Sequence, residues 1–154
     1  MQIMKNSLYL LIVLIAGLIS AATPLSAQDL TFHQTPAQKA NNAPYSEAVT
    51  VGNMIFFAGQ VPRAEAGEEL PSDIQGQAHL VMKQIAALAE KYGSSMDRVA
   101  KCTVFLTDIR EWASFNEVYV QYFKPEHRPA RSAFEVGGLG LGYKLEVECI
   151  AVKN

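Results

Sequence analysis

The sequence predicts an α+β domain, a single sheet with two helices packed on one face. Three observations carry that expectation. From Tyr45 onward the elements read β-β-α-β-α-β-β. Each helical stretch shows one apolar stripe. The strands alternate with a period of two, so each has one face to cover. A chain of 154 residues suits one domain.

Residues 1–27 read as a targeting signal and are set aside from the fold. Lys5 is the only charge, an apolar run follows from Leu8 to Ile19, and small residues lead to Ala27. Cleavage is expected after Ala27, with Ala22 as the second choice, and export to the periplasm or beyond follows. The apolar run falls short of the roughly 18 residues of a membrane span. An uncleaved N-terminal anchor is the other reading. Removing 27 residues from 154 leaves 127, and losing Lys5 takes the formal charge from −2 to −3.

Residues 28–42 are polar, contain Pro36 and paired asparagines, and read as a flexible lead-in to a domain at 43–154. Tyr45–Val51 and Met54–Ala58 are β-prone runs, and Gly52-Asn53 between them signals a hairpin. Gly59 to Pro71, with its prolines, glycines and carboxylates, reads as an exposed loop. Ser72 and Gln75 have the spacing of a capping box. Ile74, Ala78, Val81, Ile85, Leu88 and Tyr92 then recur along one helical face, and Gly93 stops the helix. Val99–Leu106 is a strand with Ala100, Cys102, Val104 and Leu106 on one face. Asp108 and Glu111 repeat the cap spacing before a second helix lined by Trp112, Phe115, Tyr119 and Tyr122. Ala130–Val136 and Lys144–Val152 are the last strands, and the glycine-rich stretch Gly137–Gly142 reads as the loop of a hairpin between them.

On the last strand Leu145, Val147, Cys149 and Ala151 share the core face, with Ile150, Val152, Glu146 and Glu148 opposite. On the strand before it, Ser132, Phe134 and Val136 are assigned to the helix side and Arg131, Ala133 and Glu135 to the other. Aliphatics mixed with charges on that second face fit a subunit interface holding a polar pocket. If the last two strands form a hairpin centred near Gly140, Ala133 falls opposite Glu146 or Glu148, and Arg131 lies one pleat away. A guanidinium fork that holds a carboxylate and a glutamate that orients water form a minimal kit for adding water to a carboxylate-bearing electrophile. A cross-strand salt bridge is the other reading of the same pair.

Several runs carry a family resemblance: Ala43–Val49 (APYSEAV), Gly52–Pro62 (GNMIFFAGQVP), Val99–Asp108 (VAKCTVFLTD), Phe115–Tyr119 (FNEVY), Pro129–Ser132 (PARS) and Leu145–Val152 (LEVECIAV). Together they resemble the RidA (YjgF) family in order and spacing over nearly all of residues 43–152. The resemblance implies a chorismate-mutase-like fold and a homotrimer with sites in the clefts between subunits. It also implies hydrolysis of imines and enamines such as 2-aminoacrylate to 2-keto acids and ammonia, with no metal or organic cofactor. Carried over by position, Arg131 clamps the substrate carboxylate. Glu146 holds the attacking water, helped by the backbone carbonyl of Ala133, and Tyr45, Gly59 and Asn116 line the pocket. The chain departs from the pattern at Ala133, where many members have cysteine, at Ala43, where glycine is usual, and near Gly140, where a common proline is missing.

Other chemistries find little support. His33, His79 and His127 are scattered without metal-ligand spacing. The glycine-rich run precedes a strand, whereas a phosphate cradle needs a helix N-terminus. Cys102 and Cys149 read as buried thiols, and an oxidising compartment would permit a disulfide between them. The ligand that the resemblance implies is a small imino or keto acid. A non-catalytic trimer binding small carboxylated ligands is the alternative. RNA cleavage is disfavoured by the acidic balance and by the lack of a basic stripe interleaved with aromatics.

Overall fold

The computed structural model describes residues 28–154, and the segment read as a targeting signal lies outside them. Six strands form one mixed sheet in the order β1-β2-β3-β6-β4-β5. They are β1 (Leu30–His33), β2 (Ala48–Val51), β3 (Met54–Phe57), β4 (Val99–Leu106), β5 (Ala130–Glu135) and β6 (Leu145–Val152). Helices α2 (Ile74–Lys91) and α3 (Trp112–Tyr119) cover one face, and α1 (Pro36–Ala40) is a short turn near the edge. Single sheet and one-sided helices follow the expectation from the strand and helix periods.

The core sits between the sheet and the two long helices. Val81, Met82 and Ile85 of α2, Phe115 of α3, Val104 and Leu106 of β4, and Leu145 and Val147 of β6 are all fully enclosed. Gly93 follows α2 with φ +78, the left-handed backbone that lets a helix end abruptly.

Five sequence expectations need correction. The stretch read as a flexible lead-in is structured. Leu30–His33 pairs antiparallel with β2. Thr35 and Gln38 form a reciprocal capping box on α1, and Pro36 occupies the helix start, where it costs no hydrogen bond. Next, Asp73 rather than Ser72 caps α2, its carboxylate accepting from the Gly76 N–H at 2.7 Å. A carboxylate at that position also complements the helix dipole. Third, β4 is bulged between Val99 and Lys101, so Val99 is buried and Ala100 turns outward.

The fourth correction matters most for function. The last two strands do not form a hairpin, because β4 lies between them, parallel to β5 and antiparallel to β6. The stretch linking them is long for a hairpin, and it crosses over the end of β4 instead. The central position goes to the more apolar strand: Cys102, Val104 and Leu106 are all fully buried. β5, with arginine, serine and glutamate, suits a sheet edge. The register Arg131↔Cys102 and Ala133↔Val104 puts Arg131 and Ala133 on the helix side, so Phe134, expected there, is instead 53% exposed.

Fifth, Cys102 and Cys149, for which buried thiols are the favoured sequence reading and a disulfide the open alternative, are joined by a disulfide. They are direct cross-strand partners with Cα atoms 4.1 Å apart, as in a non-hydrogen-bonded antiparallel pair. The bond links two neighbouring interior strands: β6 carries Glu146, and β4 holds the edge strand that bears Arg131.

Candidate functional site

The cationic side of the site is built by β5 and α3. Arg131 points from the sheet edge onto α3, where its guanidinium stacks 4.6 Å above the Tyr119 ring, with the Trp112 and Phe115 rings each at 5.9 Å. Its Nη1 donates to Asn116 Oδ1 at 2.7 Å. Stacking on aromatic faces and a neutral acceptor hold the fork in place without a counter-charge. Among the described residues no carboxylate lies within salt-bridge distance of it. The Tyr119 hydroxyl is buried without a hydrogen-bond partner. Burial pushes its pKa up to about 12, against the pull of Arg131, so the floor under the guanidinium stays neutral. The groove here has a volume of about 390 Å³.

The carboxylate side lies elsewhere on the molecule. Glu146 pairs with Phe105, three residues on from Cys102, and so points to the sheet face the helices leave open. Gly59 passes directly over it: a Cβ on Gly59 would fall 1.8 Å from Glu146 Oε1. The loop is fixed there by Gln60. Its N–H donates to the Val147 carbonyl at 2.8 Å and its carbonyl accepts from the Val147 N–H at 3.0 Å. The buried Gln60 side chain donates to the Ala58 carbonyl at 2.8 Å. Only a glycine allows the backbone to approach the carboxylate so closely.

The structure thus brings together Arg131 with Asn116, and Glu146 with Gly59, but it separates the two pairs across the sheet. The expectation that Arg131 and Glu146 share one face of one chain is overturned, because it rested on the hairpin that β4 interrupts. Ala133 packs against the core beside Val104. The Val136 N–H bonds to the Leu106 carbonyl, and hydrogen-bonding direction alternates along the strand, so the backbone groups of Ala133 face the free edge of β5. Tyr45 is 54% exposed, and its carbonyl accepts from Gln34 Nε2.

The open face itself is apolar over several strands. Met54 and Phe56 of β3 and Phe134 of β5 are exposed on it, and Phe56 pairs with Ile150. A hollow of about 170 Å³ lies among Phe56, Lys101, Thr103 and Glu148. Among the described residues no group of three or more His, Cys, Asp or Glu side chains could hold a metal ion.

Comparison with known proteins identifies the scaffold. The family model described as Endoribonuclease L-PSP matches residues 35–153. The chain belongs to this family. A RutC family protein of Pyrococcus abyssi is 46% identical over 112 residues, 72% of this chain and 87% of that protein. TdcF of Escherichia coli, provisionally named a reactive intermediate deaminase, is 40% identical over 114 residues, 72% of this chain and 88% of its own. The crystal structure of TdcF with bound serine superposes with a TM-score of 0.66 at 39% identity, covering 73% of this chain and 90% of that one. A YjgF family member from Neisseria meningitidis superposes at 0.68 with 28% identity, covering 84% and 98%. The RidA/YjgF resemblance read from the sequence motifs therefore stands.

Sequence reasoning missed three residues that the structure places beside the predicted ones. Tyr119 was read only as core, although its spacing of three from Asn116 puts both on the helix face that meets Arg131. Gln60 was passed over inside a loop. Arg128 lines the same groove as Arg131. The run Arg128-Pro129-Ala130-Arg131 signalled it, with two cations three residues apart.

Proposed function

We propose that this chain hydrolyses 2-imino and enamino acids, 2-aminoacrylate among them, to 2-keto acids and ammonia, at sites formed between subunits of a homotrimer. The observation that carries the reading is an arginine stacked on aromatic rings and held by Asn116, with no carboxylate in salt-bridge contact among the described residues. A guanidinium fork oriented in this way can hold the carboxylate of a ligand in two parallel hydrogen bonds. Similarity to TdcF supports the same chemistry.

Arg131 holds the substrate carboxylate in two hydrogen bonds, with Asn116 keeping the fork oriented. Glu146 accepts a proton from water as the oxygen attacks the imine carbon. Passing that proton to the nitrogen gives a carbinolamine; Glu146 then takes the hydroxyl proton and delivers it to the amino nitrogen as the carbon–nitrogen bond breaks, so ammonia leaves and the keto group forms. An enamine enters the same sequence after it tautomerises to the imine, its N–H proton being exchanged for one on the methylene carbon. The Ala133 carbonyl at the edge of β5 helps hold the water, and Tyr45 and Gly59 shape the pocket. No external oxidant, reductant or metal enters that balance. Because one chain keeps Arg131 and Glu146 on opposite faces of its sheet, a working site pairs the β5 edge of one subunit with the open face of its neighbour. The exposed apolar residues of that face support its burial in an assembly.

The protein is also proposed to be exported. The charged, apolar, small order of residues 1–27 and a buried disulfide in a mid-sheet position both favour an oxidising compartment. The N-terminal sequence of protein recovered from the periplasm should begin at Gln28, and an unprocessed Met1 terminus in the cytoplasm would remove this part of the reading.

The deciding assay measures ammonia or keto acid release by the processed protein on freshly generated imino acids. Turnover should be lost in Glu146→Gln with keto-acid binding retained, and both should be lost in Arg131→Ala. A wild type that turns over no imino acid but binds keto acids would make this a binding module instead.

A further inference from the structure

The groove beside Arg131 holds a second guanidinium that the deamination reading leaves unused. Resting on the assignment of Arg131 as carboxylate clamp, we propose that Arg128 binds a second carboxylate and that the site prefers four- and five-carbon dicarboxylic substrates. These are the imines formed when aspartate or glutamate is oxidised at its α-carbon.

Arg128 and Arg131 line one groove together with Asn116, Tyr119, Val120 and Pro129, and no acidic side chain lines it. Asp97, which reaches the neighbouring His127, is engaged with other cations: it holds Lys124 at 2.5 Å and His127 at 3.3 Å. Among the described residues, neither groove arginine makes a salt bridge. The backbone at Arg128 is extended (φ −67, ψ 125), as the following proline requires, so its direction from the chain is set before any ligand arrives.

Two like charges in one groove repel, and a dianion relieves both at once. A monocarboxylate neutralises Arg131 alone and leaves Arg128 exposed beside its side chain. The volume of about 390 Å³ accommodates a small dicarboxylate with room for water. The aliphatic stem of Val120 and the ring of Pro129 provide an apolar wall for the methylenes between the two charged ends.

The test is calorimetric binding of 2-oxobutyrate, oxaloacetate and 2-oxoglutarate to the processed wild-type protein and to Arg128→Gln, with turnover of the matching imines alongside. A dicarboxylate should bind about tenfold tighter than 2-oxobutyrate, as a charge-assisted contact in a partly sheltered groove provides. Arg128→Gln should abolish that margin, with a clearly smaller loss for 2-oxobutyrate, which keeps its direct contact with Arg131 and loses only the longer-range attraction of the second charge. Equal affinities in the wild type, or a margin that survives Arg128→Gln, would overturn the inference. So would a change of oligomeric state in Arg128→Gln by sedimentation, which would make Arg128 an assembly contact. Failure of the deaminase reading looks different: no imine is turned over, and Arg131→Ala leaves keto-acid binding intact.

Discussion

The two sides of the site are built by opposite means. Arg131 is held by side chains, through three aromatic rings and an asparagine on α3. Glu146 is framed by backbone, with Gly59 passing close over its carboxylate and the loop pinned to β6 by Gln60. A cation tolerates a soft, polarisable seat because ring faces attract it from many angles. A carboxylate that must present water needs an open approach and a fixed direction, and a missing Cβ supplies both. Neither side completes the other within one chain, so catalysis on this reading is a property of the interface.

That contrast can be broken most directly by subunit exchange. Arg131→Ala and Glu146→Gln should each lower turnover by roughly a thousandfold, the scale of losing a positioned acid–base group or its substrate clamp. If the two sides belong to different subunits, mixing the two inactive variants under exchange conditions should restore about a quarter of the sites, since random assembly pairs an intact arginine with an intact glutamate at that frequency. No recovery after proven exchange would place both sides in one chain.

The strands that carry the two sides are tied through Cys102–Cys149, which closes a loop with a sequence separation of 47. Replacing both cysteines by alanine should cost about 3–4 kcal/mol of stability, measured by denaturant unfolding, with most of the effect in the unfolded chain. A loss below about 1 kcal/mol would show that packing alone holds β4 to β6.

Gly59→Ala sharpens the difference between the sides. Its Cβ would meet Glu146 Oε1 at 1.8 Å, so the carboxylate must swing away. Turnover should fall about tenfold while keto-acid binding at Arg131 stays unchanged, since a small misplacement of a catalytic group costs rate. Equal losses in binding and turnover would contradict the division of labour.

The smallest expected effect concerns the strand that begins beyond Tyr45. Glu47 joins Lys91 and Tyr92 at the end of α2. Burial alone would raise its pKa, but the hydrogen bonds from Lys91 and Tyr92 outweigh burial and hold it below the usual value of 4.5. A depressed carboxylate stabilises the fold above its unfolded pKa and loses that contribution as pH falls through the folded one. Glu47→Gln should therefore cost about 1 kcal/mol near neutrality. The gap to wild type should close once pH drops below the usual carboxylate range, as read by thermal melting. A gap that persists in acid would assign the effect to packing.

Element types were legible from the chain because they depend on local periodicity. The stripe from Ile74 to Leu88, the alternation on β6 and the turn at Gly52-Asn53 all appear in the structure. Strand neighbours were not legible. Period two says which residues share a face but not which strand lies alongside, and the hairpin expected between β5 and β6 failed on that point. The inward set on β5 was inverted for the same reason, because Ser132 and Phe134 look no less buried in sequence than Arg131 and Ala133. Only the register against β4, with Cys102 facing Arg131, settles it. The cysteines showed the same limit, being apolar core positions in sequence and covalent partners once β4 and β6 lie side by side.

The sequence by itself determined the family, the helix and strand periods, and the chemical identities of an arginine and a glutamate near the chain's end. Tertiary structure alone decided that these two groups face away from each other and that Arg128 joins Arg131 in one groove. The physical reason is that periodicity acts over a few residues, whereas strand order is set by which apolar faces compete for the centre of the sheet. β4 and β6 won that competition and left the polar β5 at the edge.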